Sequence, residues 1–514
     1  MADDRTATSR TFCASRRWTR FERVVVLIAL VCGAWLRVPT DACFTHWDEG
    51  AYVAGPQGIG PFAREEPLAV YAPPMVPYAL EIARRAIGIE PGERSDPRPG
   101  AVIVVIAGFG IASIAAAAWL ARALAGSVAG MVAAWCLALS PLSIAYSRMA
   151  LTDVPFTAFL LASLAALVVA QRRGSVRYAV LGGVLAGMST LTKYHGFLAI
   201  AGLLLALAAT WMPWTRGAAR IDARKRFALV LAAGLAYTPF FVGALLFVAH
   251  DMGFEAFRAT RATWTVGLHP WTVRQAATFF VETVLAFDLP VVAVAAGFGS
   301  FALRRRRGVG VVIATSVVLA LILIAYRNYT RLFVPAVGLC AVFAACGVAS
   351  IVRNVAARRR AAVLAGLLVV LLVPWRTSPL AAAAFRSDAY ERMAELVEAR
   401  LGADDGVVVL VGQYALVPYL SREAAARVIA INEPEGRRRL AAGDCAWIVF
   451  DEDPARRPEV ESAWKALSAR ARLLATLPNP LPPAIEFDRT RGKALSAFDR
   501  ELRLYRVESI QSGR

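Results

Sequence analysis

Residues 101–121, AVIVVIAGFGIASIAAAAWLA, contain no charged side chain and decide the class of fold. A helix of this length spans about 30 Å, which is the thickness of the hydrocarbon core of a bilayer. Similar uncharged runs recur along the 514 residues, which are 58% hydrophobic and only 18% charged. The sequence therefore predicts an α-helical polytopic membrane protein and excludes an ordinary soluble one.

Eleven apolar segments are candidate membrane spans. They are residues 22–38, 101–121, 129–146, 154–170, 178–192, 196–212, 227–249, 287–303, 309–325, 332–352 and 361–375. Five clusters of basic residues fall on one side of the membrane only if the count is eleven. These clusters lie at 16–23, 172–177, 216–226, 304–307 and 358–360. The pattern predicts a cytoplasmic N-terminus, residues 1–21, and a tail on the outer side.

The net charge of +19 raises the question of nucleic-acid binding. Most of the arginine and lysine residues outside the tail, however, lie in short loops between apolar runs. Basic residues in such loops anchor the cytoplasmic side of a membrane protein. We therefore expect membrane lipids, and not nucleic acid, to be the partner of this charge.

Two long outer loops and the tail complete the predicted organisation. The loops, residues 39–100 and 250–286, each contain a short amphipathic stretch suited to the membrane surface, near 76–88 and 273–286. The transmembrane domain covers 22–379. In the tail, 380–514, the apolar runs 407–411 and 446–450 resemble buried strands, and they alternate with helical patterns at 388–401 and 456–473. This alternation predicts a small extracytoplasmic α/β domain.

The first outer loop contains an acidic pair, Asp48 and Glu49, in the stretch FTHWDEG at residues 44–50. Acidic residues are common in the first turn of a helix, where they interact favourably with the helix dipole, and this is the structural alternative for the pair. Other ionisable residues on the same predicted face favour a functional role. The pair is therefore our main candidate for outward-facing chemistry.

Three further groups of polar residues are predicted on that face. They are Arg148 and Asp153 after the third span, Lys193 and His195 after the fifth, and Arg327, Tyr329 and Arg331 after the ninth. Ionisable groups at the membrane rim are expensive, so their convergence predicts a polar cavity that opens outward. The structural alternatives are helix capping for Asp153, snorkelling to head groups for the arginines, and simple packing for His195.

The order of these motifs resembles a known superfamily. The acidic pair is followed by Tyr71-Ala72-Pro73-Pro74, then by Tyr-Ser-Arg-x-x-x-x-Asp-x-Pro at 146–155, and later by Tyr-x-Arg-Leu-Phe-Val-Pro at 329–335. This is similar to the membrane-embedded GT-C glycosyltransferases, and within them to protein O-mannosyltransferases and lipid A aminoarabinose transferases. The similarity covers about residues 20–375 and is densest over 44–200.

The resemblance implies transfer of a sugar from a polyprenyl-phosphate carrier to an acceptor on the outer face. By this resemblance, the catalytic aspartate of the family corresponds to Asp48. Its carboxylate would act as general base in an inverting attack. Glu49 and Asp153 carry over as further acidic residues, for either acceptor positioning or metal binding. Lys193, Arg327 and Arg331 are the candidates for stabilising the leaving phosphate.

The remaining substrate-binding candidates are His46, Arg148, His195 and Tyr329. Some members of the family bind a divalent cation, for which His46, Asp48, Glu49, Asp153 and His195 are candidate ligands, although no spacing demands a metal. The first loop is shorter than in the protein mannosyltransferases, and no MIR-type sugar-binding domain is inserted. This departure argues against a eukaryotic-style protein mannosyltransferase.

The composition, rich in alanine and arginine, indicates a bacterium with GC-rich DNA. The prediction is an inner-membrane transferase acting on an envelope glycan, lipid or exported protein. A related enzyme with an arabinofuranosyl or oligosaccharyl carrier is the nearest alternative. A non-catalytic scaffold or a transporter with an outer partner-binding domain is the alternative from another class.

Overall fold

The computed structural model describes residues 18–38, 47–58, 67–88, 99–209, 223–265, 309–325, 330–354, 385–401 without 386, 406–451 without 413 and 432, 458–480 and 501–508, with short stretches and single positions between them. Before residue 355 the described elements are helices. They are α1 (Arg20–Arg37), α2 (Trp47–Ala54), α3 (Met75–Ala86), α4 (Pro99–Ala125), α5 (Ser127–Ala138), α6 (Pro141–Tyr146), α7 (Asp153–Arg173), α8 (Val176–Thr192), α9 (Leu198–Ala209), α10 (Ala223–Asp251), α11 (Phe254–Thr265), α12 (Val309–Ala325) and α13 (Val334–Asn354).

Within the described residues, four helical segments are long and apolar enough to cross a membrane. They are Val104–Ala125, Asp153–Arg173, Arg224–Asp251 and Thr330–Val352. Shorter apolar helical segments cover Ser127–Ala138, Tyr194–Leu205 and Val309–Leu323. The predicted spans 287–303 and 361–375 lie largely or wholly outside the described residues, so the count of eleven stays a prediction.

The helices pack around α7, which contacts α4 on one side and α8 on the other, while α10 packs on the far side of α8. The outward faces of α1 and α10 expose large apolar side chains, including Trp35 at 70% and Phe227 at 68%. Such surfaces are unfavourable in water and suit contact with lipid tails. α3 buries Val76 and Leu80 but exposes Ile82, which is the amphipathic pattern predicted for this stretch of the first outer loop.

The third predicted span, residues 129–146, is not one helix. α5 ends at Ala138, and a new helix begins after Ser140, whose hydroxyl oxygen accepts a hydrogen bond from the backbone N–H of Ser143 at 3.2 Å. Pro141 favours this restart because its fixed φ suits the first position of a helix. The helix is therefore interrupted between Ala138 and Pro141.

Arg37, at the end of α1, forms hydrogen bonds to the interruption between α5 and α6. Its side chain is fully buried and donates hydrogen bonds to the carbonyl oxygens of Ala138 at 2.9 Å and Leu137 at 2.6 Å. It also donates to the carbonyl oxygen of Gly33 at 3.2 Å and to the hydroxyl of Ser143 at 3.0 Å. Because the last carbonyls of a helix have no partner within the helix, this arginine caps α5 from a neighbouring helix.

After residue 385 the described strands form a mixed five-stranded sheet in the order β2-β1-β3-β7-β4. Its strands are β1 (Val408–Val411), β2 (Val428–Ala430), β3 (Trp447–Phe450), β4 (Ala471–Pro478) and β7 (Glu501–Val507), and a separate short ladder joins β5 (Arg489–Thr490) and β6 (Lys493–Ala494). β1 runs parallel to β2 and β3, whereas β7 runs antiparallel to β3 and β4. The tail helices are α14 (Ala389–Leu401), α15 (Arg422–Ala426), α16 (Pro434–Ala442) and α17 (Pro458–Ser468).

The apolar runs predicted as strands coincide with β1 and β3, and all four residues of each strand are buried. Continuous apolar runs are typical of parallel strands that are covered on both faces. The helical pattern predicted over 456–473 is too long, because α17 ends at Ser468 and β4 begins at Ala471. The last residues of that pattern belong to an edge strand.

Candidate active site

The acidic pair opens helix α2. Asp48 and Glu49 both lie in its first turn, where the helix dipole favours negative charge. The structural alternative therefore describes their position correctly, but each carboxylate also has a partner elsewhere in the chain. Asp48 forms an ion pair with Arg331, which lies in the 3-10 turn Thr330–Phe333 before α13. The two side chains are 18% and 14% exposed, so this pair keeps limited contact with solvent.

A second ion pair joins Asp153, at the start of α7, to Lys193, directly after α8. Helix α8 ends there because Lys193 adopts an extended conformation (φ −152°, ψ 136°), which turns the chain at the rim. Asp153 is buried and Lys193 is 17% exposed. Burial lowers the pKa of Lys193, and the Asp153 carboxylate opposes that shift.

The two ion pairs belong to one electrostatic site. Lys193 is influenced by the charges of both Asp48 and Arg331, in addition to that of Asp153. Two carboxylates and two cations from four separate segments therefore converge at one end of the helices. The structure therefore brings four of the predicted site residues together.

Glu49 is buried and serves a different purpose from its neighbour. Its carboxylate accepts a hydrogen bond at 2.7 Å from the backbone N–H of Ala150, in the turn between α6 and α7. This bond ties α2 to the segment that precedes Asp153. The hydrogen bond from Ala150 and the burial of the side chain thus indicate a structural role for Glu49, without direct contact to a substrate.

Tyr52 is a site residue that the sequence analysis missed. Its side chain is buried, forms a hydrogen bond with Thr152, and is influenced by the carboxylates of Asp48 and Asp153. Burial, and next the charge of Asp48, raise the pKa of Tyr52 well above its usual value, so that it stays a neutral hydroxyl. The available signal was its spacing from Asp48, because residues four apart on a helix share a face.

The other predicted site residues are distributed around this centre. Arg148 is only 6% exposed in the turn after α6, which contradicts the snorkelling alternative for this residue. His195 is half-buried in the 3-10 turn Tyr194–Phe197 that follows Lys193. His46, Arg327 and Tyr329 lie outside the described residues.

The described donors do not form a metal site. In the part of the chain that the structure describes, no three His, Cys, Asp or Glu side chains come together as a set of ligands. Asp48 and Asp153 are each paired with a cation, and Glu49 is bonded to an amide. Because His46 is not described, the divalent cation stays a prediction and no chemical step is assigned to it.

Comparison with known proteins agrees with this architecture. Residues 72–219 match the family of dolichyl-phosphate-mannose-protein mannosyltransferases, a range that includes Asp153 and Lys193 but not α2. No curated protein sequence gives a match.

Solved structures share the fold at low sequence identity. ArnT from Cupriavidus metallidurans, bound to undecaprenyl phosphate, is 14% identical, with a TM-score of 0.58 over 97% of this chain and 100% of that one. The archaeal oligosaccharyltransferase AglB from Archaeoglobus fulgidus, with an inhibitory peptide and a dolichol-phosphate, is 12% identical, with a TM-score of 0.58 over 84% of this chain and 69% of AglB. A structure of the Archaeoglobus fulgidus oligosaccharyltransferase with Zn and sulfate superposes with a TM-score of 0.55 at 14% identity, over 83% of this chain and 68% of that one. This chain therefore shares the fold of ArnT and AglB, and its residues 72–219 are similar to the dolichyl-phosphate-mannose-protein mannosyltransferase family.

Proposed function

We propose that this protein is an inverting glycosyltransferase that uses a polyprenyl-phosphate sugar as donor. The acceptor is an envelope glycan, lipid or exported protein on the outer face of a bacterial inner membrane. The observation that carries the proposal is the pairing of Asp48 with Arg331 beside the pairing of Asp153 with Lys193. A base and two cations in one partly open site suit attack on a sugar whose leaving group is a phosphate.

Asp48 is the proposed general base. Its carboxylate is partly exposed, so an acceptor hydroxyl can reach it. In the reaction it takes the hydroxyl proton while the acceptor oxygen forms a bond to the anomeric carbon. The bond from that carbon to the carrier phosphate breaks on the opposite side, and its electron pair stays on the phosphate oxygen. The configuration at the anomeric carbon is therefore inverted.

Lys193 and Arg331 are the proposed groups that stabilise the leaving phosphate, with Arg327 as a further candidate. An arginine forks onto two phosphate oxygens, and a lysine supplies a compact charge. Arg331 pairs with Asp48 in the structure, and a bound donor phosphate would compete for the same guanidinium. Donor binding would then free the base at the moment when an acceptor needs it.

Asp153 and Glu49 are proposed to act through other residues. Asp153 holds Lys193 in place, and its burial makes direct contact with a large acceptor unfavourable. Glu49 fixes α2 against the turn at Ala150. Of the two roles left open by the sequence, positioning is the one that their contacts support.

The two neighbours solved with lipid phosphates support the donor class, since ArnT holds undecaprenyl phosphate and AglB a dolichol-phosphate. A shared fold carries no identity of sugar or acceptor, so neither is transferred here. Eleven spans, a cytoplasmic N-terminus and an extracytoplasmic tail complete the proposal, because they put the described site on the side where lipid carriers present their sugar.

The test follows release of polyprenyl phosphate by purified protein in lipid. The donors are a panel of polyprenyl-phosphate sugars, and the acceptor is a mixed envelope extract. We expect Asp48→Asn to lower turnover by about 100- to 10,000-fold, the usual contribution of a general base, while donor binding is kept. Asp444→Asn, at an exposed tail aspartate, is the matched control and should react like the wild type.

Equal release by the wild type and Asp48→Asn would exclude Asp48 as the base. A wild-type protein that binds a donor but releases no phosphate from any of the panel would contradict the transferase and favour the scaffold.

A further inference from the structure

Helix α2, which carries Asp48, is packed against the tail. A Cβ atom added at Gly50 would lie 1.9 Å from the backbone oxygen of Tyr414 and 2.2 Å from its carbonyl carbon. No side chain fits at these distances, so the two backbones are in direct contact only because residue 50 is a glycine. Nearby, the ring of Tyr414 meets the ring of Tyr71 edge-on, with centroids 5.8 Å apart.

The tail makes this contact at the carboxyl-terminal end of its parallel strands. Tyr414 follows the end of β1, and the turn Val417–Tyr419 beside it also packs on α2. β1 lies between β2 and β3 in the parallel part of the sheet, so the strand order reverses there. In open α/β sheets this reversal point, at the carboxyl ends of the strands, is where ligands usually bind.

In this protein the reversal point is filled by its own side chains. A Cβ at Gly412 (φ 155°) would lie 1.2 Å from a carboxylate oxygen of Asp451, which follows β3. The backbone N–H of Asp451 donates to the carbonyl oxygen of Val411 at 3.1 Å, and the hydroxyl of Tyr390 donates to its carboxylate at 3.4 Å. Asp451 is 2% exposed and Tyr414 is 1% exposed. The carboxyl-terminal end of the parallel strands is therefore buried and hydrogen-bonded within the chain. Such a surface suits support of a neighbouring element better than binding of a ligand.

We propose that the tail segment 414–420 is a positioning element for the general base, so that the tail is part of the catalytic unit. This inference rests on the proposed function. The segment presses on the residue two positions after Asp48, while Glu49 holds the same turn from the side of α7. The base is thus fixed from two directions, by the tail and by the membrane helices. Lys193 and Arg331, the residues proposed to bind the donor phosphate, lie on other elements of the chain.

The first test compares Gly50→Ala with Gly108→Ala. Gly108 lies in helix α4 with nothing within 4 Å of an added Cβ, so it is a matched helical control. Alanine favours a helix by about 1 kcal/mol over glycine, so any loss at position 50 must come from displaced contacts. We expect Gly50→Ala to lower kcat at least tenfold, because displacement by about 1 Å costs up to about 100-fold. The KM for the donor and the turnover of Gly108→Ala should stay within about twofold of the wild type.

The second test uses the ring contact. Tyr71→Phe keeps the edge-on contact with Tyr414, and Tyr71→Ala removes it. We expect Tyr71→Ala to lower kcat several-fold at an unchanged donor KM. Tyr71→Phe should keep the turnover of the wild type. A residue with a merely structural role would reduce the amount of folded protein without changing kcat per folded molecule.

Hydrogen–deuterium exchange gives a readout that needs no activity. Amides of residues 47–54 and 414–420 should exchange faster in Gly50→Ala than in the wild type, and should be unchanged in Gly108→Ala. Wild-type kcat in Gly50→Ala, or unchanged exchange in both segments, would overturn the positioning role. If the wild type transfers no sugar, the proposed function fails, and the exchange experiment alone decides whether the tail holds α2.

Discussion

Two arginines at the ends of the membrane helices have opposite surroundings. Arg37 is fully buried and donates hydrogen bonds to three backbone carbonyl oxygens and one hydroxyl, all of them neutral. Arg331 is 14% exposed and faces a carboxylate that is itself partly exposed. A guanidinium whose donors are taken up by backbone oxygens is committed to the fold. One that faces a partly exposed carboxylate can exchange that partner for another anion, such as a phosphate. The hydrogen-bond partner and the exposure of the side chain together therefore distinguish Arg37, which stabilises the fold, from Arg331, which is proposed to bind the donor phosphate.

The largest effect that tests this comparison is on turnover. Arg331→Ala should lower kcat by about 100- to 1,000-fold, the usual loss when one group that stabilises a developing negative charge is removed. Its midpoint of thermal unfolding should fall less than that of Arg37→Leu, because the pair with Asp48 keeps some contact with solvent. The measurement is phosphate release beside a thermal unfolding curve in the same detergent. Wild-type turnover in Arg331→Ala would remove this arginine from the site.

The opposite result is expected at Arg37. Arg37→Leu leaves the carbonyls of Leu137 and Ala138 buried without this donor, and we expect a loss of about 2–4 kcal/mol in stability. The kcat per folded molecule should stay close to that of the wild type, since no site carboxylate is among its hydrogen-bond acceptors described here. Denaturant unfolding in detergent measures the loss. A full loss of turnover with unchanged stability would reverse the assignment of the two arginines.

The smallest expected effect concerns a third arginine, which has a carboxylate partner like Arg331 but is buried like Arg37. On α3, Arg84 faces the carboxylate of Glu81, as Arg331 faces Asp48, but the Arg84 side chain is only 2% exposed. Burial raises the pKa of Glu81, and hydrogen bonds from Arg84 and Arg85 more than offset this, so the net pKa is below its usual value. A lowered folded-state pKa adds stability above the unfolded pKa of about 4.3, and this is lost as the pH falls through the folded value.

We therefore expect the wild type to be more stable than Glu81→Gln at pH 7 and to lose that advantage below about pH 4. Unfolding midpoints of the two proteins across this range measure the difference, and turnover at pH 7 should be equal. A constant difference between pH 7 and pH 3 would show that the pair contributes packing and not charge.

The sequence was informative where polar residues interrupt apolar runs. Asp153 and Lys193 stand at such interruptions, and the structure brings them together. Tyr52 was missed because a tyrosine beside apolar residues reads as packing until the helix that contains Asp48 is known. Arg37 was missed because an arginine at the end of a span normally indicates the membrane surface. The meeting of Gly50 with Tyr414 has no local signal at all, since it depends on how the tail sheet sits on the first outer loop.

That last contact has a consequence for biosynthesis. The residues that press on α2 are synthesised after the segments that contain Lys193 and Arg331. On the proposed positioning role, a nascent or prematurely terminated chain would capture the carrier lipid without consuming its sugar. Synthesis and folding of the tail segment 414–420 would then be the event that makes the proposed transferase active.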